Sequence, residues 1–349
     1  MSKIVLDAIG GDHAPTQAVA GVALAIQNGH VTPADILLTG PAEQVRAAVQ
    51  ESDLVRECGL SADSIEIVDA PDVLTSSDSP TDAMRKKPNN SIAVGVQLVK
   101  QGKAGGFVSA GSTGTVVAAA TLGLRCLEGI KRPAIGAIIE GEKHPFLVLD
   151  VGANPQPKAH HLAQYALMGS AYYGCQFGIE EPVVGILNIG SEERKGNPLV
   201  REARNMMKEL PINFHGNVEG VEVFSGDCHV VVTDGFSGNV LLKVSEGVAE
   251  YLLRTTFGLM QKAGVSKEQM HQVHKEIMPR VDFAEYGGAL LLGVEGIVTI
   301  CHGRSQAPAY ANALRFAHRA LEGRVNEHIV QAAKSVNLSD GASNGQPSA

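Results

Sequence analysis

A chain of 349 residues with 44% hydrophobic content can bury a large α/β core, and no apolar run reaches the ~18 residues of a membrane-spanning helix. The formal net charge of −8 speaks against a general nucleic-acid binder, which carries a basic patch. Five scattered cysteines, none in a C-x-x-C pair, speak against a disulfide framework or a structural zinc site. Ser2 and Lys3 lead straight into Ile4-Val5-Leu6, which reads as a strand and not as a secretory signal, so a cytoplasmic location is expected.

Along the chain, short β-rich runs alternate with helical patterns, the mark of βαβ units and a mostly parallel sheet flanked by helices. Residues 4–6 form the first predicted strand, and 15–27 a helix with proline in its first turn. Strands follow at 36–38 and 65–68, separated by a helix that starts at Pro41 and runs to Glu51. Residues 74–88 are polar and punctuated by proline, and read as a loop. Residues 91–101 form an amphipathic helix with Ile92, Val96 and Val99 on one side. A strand ends at 106–109 and an alanine-rich helix occupies 113–126. The apolar runs 133–139 and 146–151 pair as a hairpin or lie as neighbours, and a helix spans 158–174. Further strands are expected at 183–188, 213–216 and 230–233. From Asn239 the chain is helical, interrupted near Gly264 and resumed over 266–279, which predicts a projecting helical hairpin over about 240–280. A last strand at 297–301 and a closing helix at 307–334 complete a single α/β domain over 1–334, with 335–349 as a disordered tail.

Four glycine-rich loops stand where a predicted strand hands over to a predicted helix. They read Asp7-Ala-Ile-Gly-Gly-Asp-His-Ala-Pro15, Ser109-Ala-Gly-Ser-Thr-Gly114, Asn188-Ile-Gly-Ser-Glu-Glu-Arg-Lys-Gly-Asn197 and Asp234-Gly-Phe-Ser-Gly-Asn239. A helix N-terminus offers unpaired N–H groups and partial positive charge, and glycine admits an anion close to the backbone. Loops at the carboxyl edge of one parallel sheet would converge, which points to a site for phosphate or a phosphorylated group. In the third loop Lys195, between Arg194 and Gly196, places a cation where phosphate could sit; pairing with Glu192 and Glu193 in a solvated loop is the alternative. In the fourth, Ser237 suits an N-cap, Asn239 would donate to a ligand oxygen and Asp234 would orient a neighbour; an ordinary strand-to-helix turn is the alternative. Neither a dinucleotide fingerprint nor a P-loop occurs, and no G-x-S-x-G nucleophile elbow is evident at these strand-to-helix turns. His160-His161 point in different directions on a helix and His271/His274 lack a carboxylate companion, so no metal site is expected.

Taken together in this order, the motifs closely resemble the PlsX family of phosphate acyltransferases over about residues 3–332. The resemblance also includes Arg85-Lys-Lys87, Gly129-Ile-Lys-Arg-Pro-Ala134, Leu149-Asp-Val-Gly-Ala-Asn154, His161-Leu-Ala-Gln-Tyr-Ala-Leu-Met-Gly169, Gly216-Asn-Val-Glu219 and Tyr286-Gly-Gly288. Ile9, Ser112 and Pro198 depart from the family's usual methionine, asparagine and acidic residue; Ser112 bears on the hydrogen bonds of its loop.

The resemblance implies a fold similar to the isocitrate/isopropylmalate dehydrogenase and phosphotransacetylase group. It implies transfer of a fatty acyl group from acyl-acyl carrier protein to inorganic phosphate, at the start of phospholipid synthesis. Attack of phosphate on such an activated acyl donor would need no organic cofactor either. Carried onto this chain, Lys195 and Asn239 would contact phosphate and the reacting carbonyl, with Asp234 beside them. Gly10, Gly11, His13, Gly111, Ser112, Thr113, Gly114, Asn154, Gly196, Asn197 and Gly238 would complete the substrate-binding surface. Arg85, Lys86, Lys87, Lys131 and Arg132 are candidates for docking the acidic carrier protein. A homodimer with its site near the interface, a downstream membrane acyltransferase as partner, and weak peripheral membrane contact are further expectations. The hairpin tip would make that contact through Leu259, Met260, Val265 and Met270, interrupted by Lys262, Lys267, Glu268 and His271. Three other readings compete: a phosphotransacetylase using acetyl-coenzyme A, a dehydrogenase that would need a carboxylate cluster for metal, and a non-catalytic membrane-bound scaffold.

Overall fold

The computed structural model describes residues 3–59, 63–75, 78–281 and 286–336. In chain order the main elements are β1 (Ile4–Asp7), α1 (Thr16–Gln27), β2 (Ile36–Gly40), α2 (Ala42–Glu51), α3 (Asp53–Glu57), β3 (Glu66–Asp69), α4 (Pro80–Lys86), α5 (Ser91–Lys100), β4 (Gly106–Ser109) and α6 (Thr113–Leu124). The chain continues through β5 (Ala134–Ile139), β6 (Phe146–Leu149), α7 (Ala159–Phe177), β7 (Val183–Asn188), α8 (Pro198–Lys208), β8 (Asn213–Glu219), β9 (Val230–Val232) and α9 (Gly235–Lys262). It ends with α10 (Lys267–Val281), β10 (Ala289–Leu292), β11 (Ile297–Ile300), α11 (Ala307–Glu322) and α12 (Val325–Lys334).

The eleven strands of the described residues join one sheet in the order β3-β2-β1-β4-β11-β10-β5-β6-β9-β7-β8. Strands β3 to β11 on one side are mutually parallel, as are β6, β9, β7 and β8 on the other. Between them β10 and β5 are joined to their neighbours antiparallel, and β5–β6 is an antiparallel pair in which Gly136 faces Leu149. The sheet is therefore mostly parallel, but its two blocks run in opposite senses. The inner strands are predominantly apolar because both faces are covered, whereas the edge strands β3 and β8 carry exposed polar residues; successive residues alternate between the faces. Ile4 and Leu6 of β1 belong to the core layer that α1, α7 and α11 cover on one side of the sheet. Val5 packs with residues of α5 and α6 on the other, where Leu241 and Leu242 of α9 also join.

Several expected elements differ in detail. The stretch 74–88, read as a loop, contains α4. Ser79 caps it by accepting from the Asp82 N–H at 3.1 Å, and Pro80 supplies a preset first helical residue, signals that the polar composition masked. The closing helix is two: Arg324, with φ of 50° after Gly323, breaks it between α11 and α12. Strand β10, a short leucine run between glycines, and helices α3 and α8 add to the expected elements. Strand β8 extends to Glu219, beyond the expected Gly216. The expected tail lies outside the described residues from 337 onward. Among the described residues no helix is long and apolar enough to cross a membrane.

Candidate active site

Three neighbouring parallel strands bring three loops to one edge of the sheet. Leu149 of β6 is level with Val232 of β9, and Val232 is level with Ile186 of β7. The segments that follow, starting at Asp150, Thr233 and Leu187, therefore emerge side by side. Register alone gathers the 150–154 turn, the start of α9 and the Lys195 loop.

Asp150 anchors this edge. Its fully buried carboxylate accepts from the N–H groups of Ile135, Gly152, Ala153 and Asn154 at 2.7–3.0 Å, and from the Asn154 side chain at 3.2 Å. Asn154 also donates to the Pro133 carbonyl at 2.7 Å, while its oxygen accepts from Arg132 at 3.4 Å. The amide of Asn154 thus ties the turn to β5 and holds the Arg132 guanidinium at the rim. The start of α9 rests directly on this turn. The Gly235 N–H donates to the Asn154 carbonyl at 2.9 Å, and a Cβ at Gly238 would lie 1.9 Å from the Asp150 carbonyl oxygen. Only glycine permits that approach.

Asp234, not Ser237, is the N-cap of α9. Its carboxylate accepts from the N–H groups of Phe236 and Ser237 at 3.0 and 2.9 Å and from the Ser237 hydroxyl at 2.8 Å. A carboxylate outcompetes a neutral hydroxyl for these amides, and the first N–H groups of α9 are consequently spent. What remains for a ligand there is the side chain of Asn239, which is exposed.

In the third loop, Asn188 at the end of β7 organises the backbone. Its amide donates to the Lys195 carbonyl at 3.2 Å and its oxygen accepts from the Ile189 N–H at 2.8 Å. Gly196 has φ of 98°, and a Cβ there would press on the Asn188 amide at 2.7 Å, so the tight return of the chain requires glycine. Asn197 accepts from the Val200 N–H at 2.9 Å and caps α8, with Pro198 at its first position. The departure at Pro198 is therefore a compatible helix start. Lys195 keeps a side chain 41% exposed, with Glu192 at 3.9 Å, a loose pairing that leaves the ammonium available to an anion. Glu193 turns away to Lys208 and Arg204.

The other two glycine loops belong to the opposite block. Asp7 and Ser109 end adjacent strands β1 and β4, and the Ser109 hydroxyl donates to Asp7 at 2.7 Å. The N–H groups of Ile9 and Gly10 also donate to Asp7. Burial pushes the Asp7 carboxyl above its ordinary value of 3.8, against the pull of these hydrogen bonds. A cavity of about 420 Å³ lies over this pair, lined among others by Gly10, Gly11, Gly111, Ser112 and Thr113. Asp12 and Asp78 also line it, so its walls carry carboxylates. His13 is exposed and is not part of that lining. Ser112 is the N-cap of α6 but makes no side-chain cap, which leaves that helix end open where α8 and α9 are closed.

A cavity of about 780 Å³ joins the two halves: Thr113 and Gly114 from α6 line it together with Lys131, Arg132, Gly152 and Asn154. In a flat sheet the ends of β4 and β6 would lie on opposite edges. Four steps of about 20–25° twist each turn one by roughly 90° against the other. The expectation that four equivalent helix ends converge as anion cradles is thus modified: two are capped internally, and cationic side chains, Lys195 and Arg132, supply charge on the α9 side. Asp150 was not singled out from the sequence, although acidic, glycine and asparagine residues at this spacing are the signature of a side-chain-closed turn. The Arg85–Lys87 cluster is already paired, Arg85 and Lys86 with Asp82 at 3.7 and 3.0 Å and Lys87 with Asp78 at 2.6 Å. In the 160–161 histidine pair, His161 accepts from the Lys158 N–H at 2.9 Å, a helix-start contact.

Comparison with known proteins converges on one family. A family model described as "Fatty acid synthesis protein" matches residues 2–328. The chain is 41% identical over 345 residues to the phosphate acyltransferase of Pelotomaculum thermopropionicum, covering 98% of each chain. It is 39% identical over 337 residues to that of Clostridium acetobutylicum, covering 96% of this chain and 99% of the relative. In fold it resembles a phosphotransacetylase from Streptococcus pyogenes, with a TM-score of 0.60 at 19% identity, over 92% of this chain and 94% of the other. Near-full-length similarity at this identity, on the phosphotransacetylase type of fold, means that the chain belongs to the PlsX family of phosphate acyltransferases.

Proposed function

We propose that the protein transfers a fatty acyl group from the thioester of an acyl carrier protein to inorganic phosphate. A phosphate oxygen attacks the thioester carbonyl carbon, giving a tetrahedral oxyanion. Collapse breaks the C–S bond, acyl phosphate forms, and the carrier's thiolate takes up the proton that phosphate gives up. Phosphate is already a competent nucleophile near neutral pH, so the protein's tasks are alignment and stabilisation of the oxyanion. Lys195 holds phosphate as a point charge, with Gly196 and Asn197 shaping its loop. Asn239 donates to phosphate or to the developing oxyanion, and Asp234 fixes the turn that carries it. Arg132, steered by Asn154, faces the incoming donor. Gly10, Gly11 and the 111–114 loop complete the far wall, with His13 exposed outside it.

The observation that carries this reading is the juxtaposition, on adjacent parallel strands β7 and β9, of the loosely paired Lys195 and the start of α9. Lys131 and Arg132 at the rim suit an acidic carrier better than the internally paired 85–87 cluster. Exposed apolar residues on one face of α9, Val240 and Tyr251 three turns apart, support a homodimer that covers this face. Leu259 near the hairpin tip supports weak peripheral membrane contact from the cytoplasm, where the product would pass to a membrane acyltransferase.

The test is consumption of palmitoyl-acyl carrier protein by the purified chain with and without phosphate, trapping acyl phosphate with hydroxylamine. Phosphate-dependent hydroxamate is expected. Turnover confined to acetyl-coenzyme A would replace the reading with a phosphotransacetylase, and no turnover with either donor would leave a scaffold.

A further inference from the structure

A second cavity, of about 570 Å³, lies outside the loops described above. It is a groove between α9, α10 and the sheet, lined along α9 by Leu241, Ser245, Ala249 and Leu253, and at its sides by Phe224 and Ile139. Its size is in the range of about 300–1,000 Å³ usual for small-molecule sites, and its walls are predominantly apolar. We infer that this groove holds the acyl chain of the donor, running from the reaction centre along α9; this rests on the acyl-transfer reading given above.

Three observations carry it. First, the groove starts close in the chain to two loops of the site. Its first residue on α9, Leu241, is two positions after Asn239, and it also includes Gly220, next to the Glu219 carboxylate that accepts from the Ser191 N–H of the Lys195 loop at 3.0 Å. Second, its length fits. From Leu241 to Thr256, at a rise of 1.5 Å per residue, the helix wall extends about 22 Å. A membrane-forming acyl chain spans one leaflet, about half of the ~30 Å hydrocarbon core, and is longer when fully extended. Third, the far end is polar. Ile139 closes β5 about 13 Å, four residues at ~3.3 Å each, from Ile135, whose N–H is held by Asp150. The next residue, Glu140, accepts a hydrogen bond from Tyr286, and Arg280 lies with them on the lining. A chain entering beside Asn239 would thus meet apolar walls along its length and charged groups at its end.

The experiment uses the full chain with two donors, palmitoyl- and octanoyl-acyl carrier protein. Ala249 lies ten residues, about 15 Å, beyond Asn239, within reach of a palmitoyl chain and past the end of an octanoyl chain. Each buried methylene is worth about fourfold in affinity, so an obstruction that displaces two of them costs about fifteenfold. Ala249→Trp should lower kcat/KM at least tenfold for palmitoyl and leave octanoyl turnover near that of the unmodified protein, which also reports that the variant is folded. Leu253→Ala, a milder change farther along, should raise KM for the palmitoyl donor alone. Unchanged preference between the donors in both variants overturns the inference, as does an equal loss for both donors with Leu253→Ala. A shift from dimer to monomer by light scattering, with donor preference unchanged, would instead assign the groove to a second copy of the chain. Failure of the unmodified protein to form hydroxamate from either donor refutes the acyl-transfer reading itself, a result separate from loss of the chain-length effect.

Discussion

Gly238 and Gly247 lie on the same helix, α9, and an alanine at each should have opposite consequences. At Gly247 an added Cβ meets nothing within 4 Å, so Gly247→Ala gains only helix propensity, about 0.5–1 kcal/mol. At Gly238 the same Cβ would stand 1.9 Å from the Asp150 carbonyl oxygen and 2.8 Å from Thr233. Restoring an ordinary contact of about 3.5 Å requires the helix start and the 150–154 turn to separate by about 1.6 Å. The turn resists, since the Asp150 carboxylate is bound by five hydrogen bonds, and overpacking of this kind costs about 1–3 kcal/mol. Asn239 is the next residue, so the displacement reaches it almost undiminished. A misplacement of about 1 Å can cost about a hundredfold in rate. Gly238→Ala should therefore lower phosphate-dependent hydroxamate formation about a hundredfold, while urea denaturation shows a destabilisation of no more than about 3 kcal/mol. Gly247→Ala should be slightly more stable and fully active. Near-normal turnover in Gly238→Ala would refute the argument that the seating of α9 on the Asp150 turn sets the reaction geometry.

Other expectations can be checked with the same preparations. Lys195→Ala should lose about a hundred- to a thousandfold in turnover, roughly 2.7–4 kcal/mol of transition-state stabilisation, with an unaltered far-ultraviolet circular dichroism spectrum. Turnover within threefold of the unmodified protein would remove Lys195 from the mechanism. Asp234→Ala removes the α9 cap and should cost about 1 kcal/mol in urea denaturation, whereas Asp234→Asn, which keeps a capping oxygen, should lose less. Asp78 is held down to about 2, chiefly by the Lys87 hydrogen bond, from an ordinary 3.8. Because the folded-state value is depressed, its stabilising contribution is complete above about 3.8 and is lost as pH falls through about 2. Denaturation midpoints of Asp78→Asn between pH 5 and 2 should fall less steeply than those of the unmodified protein; parallel curves would refute the linkage.

Much of the fold is legible in the amino-acid sequence because its signals are local. Runs such as Ile4-Val-Leu6 and Val230-Val-Val232 mark strands buried on both faces, and glycine-rich handovers mark the strand-to-helix turns. Local signals failed where two tendencies met in a few residues. The polar 74–88 stretch hid α4 behind the Ser79-Pro80 start, and the Gly323-Arg324 break inside a continuous helical pattern was not apparent. Ser237 looked like the cap of α9 on residue type alone, but Asp234 is also in reach of the same amides and carries the charge that favours it.

By itself the sequence determined the alternation of strands and helices, the family, and which loops carry chemistry-bearing residues. It could not say which loops meet. That was decided by the pairing of β9 between β6 and β7, which sets the Asp150 turn, the start of α9 and the Lys195 loop on one edge, and by the reversed sense of the two parallel blocks. Strand order and register depend on backbone hydrogen bonds between segments distant in the chain, such as Val184 with Val230, and on the accumulated twist of the sheet. Neither leaves a mark in the spacing of residues along any one segment.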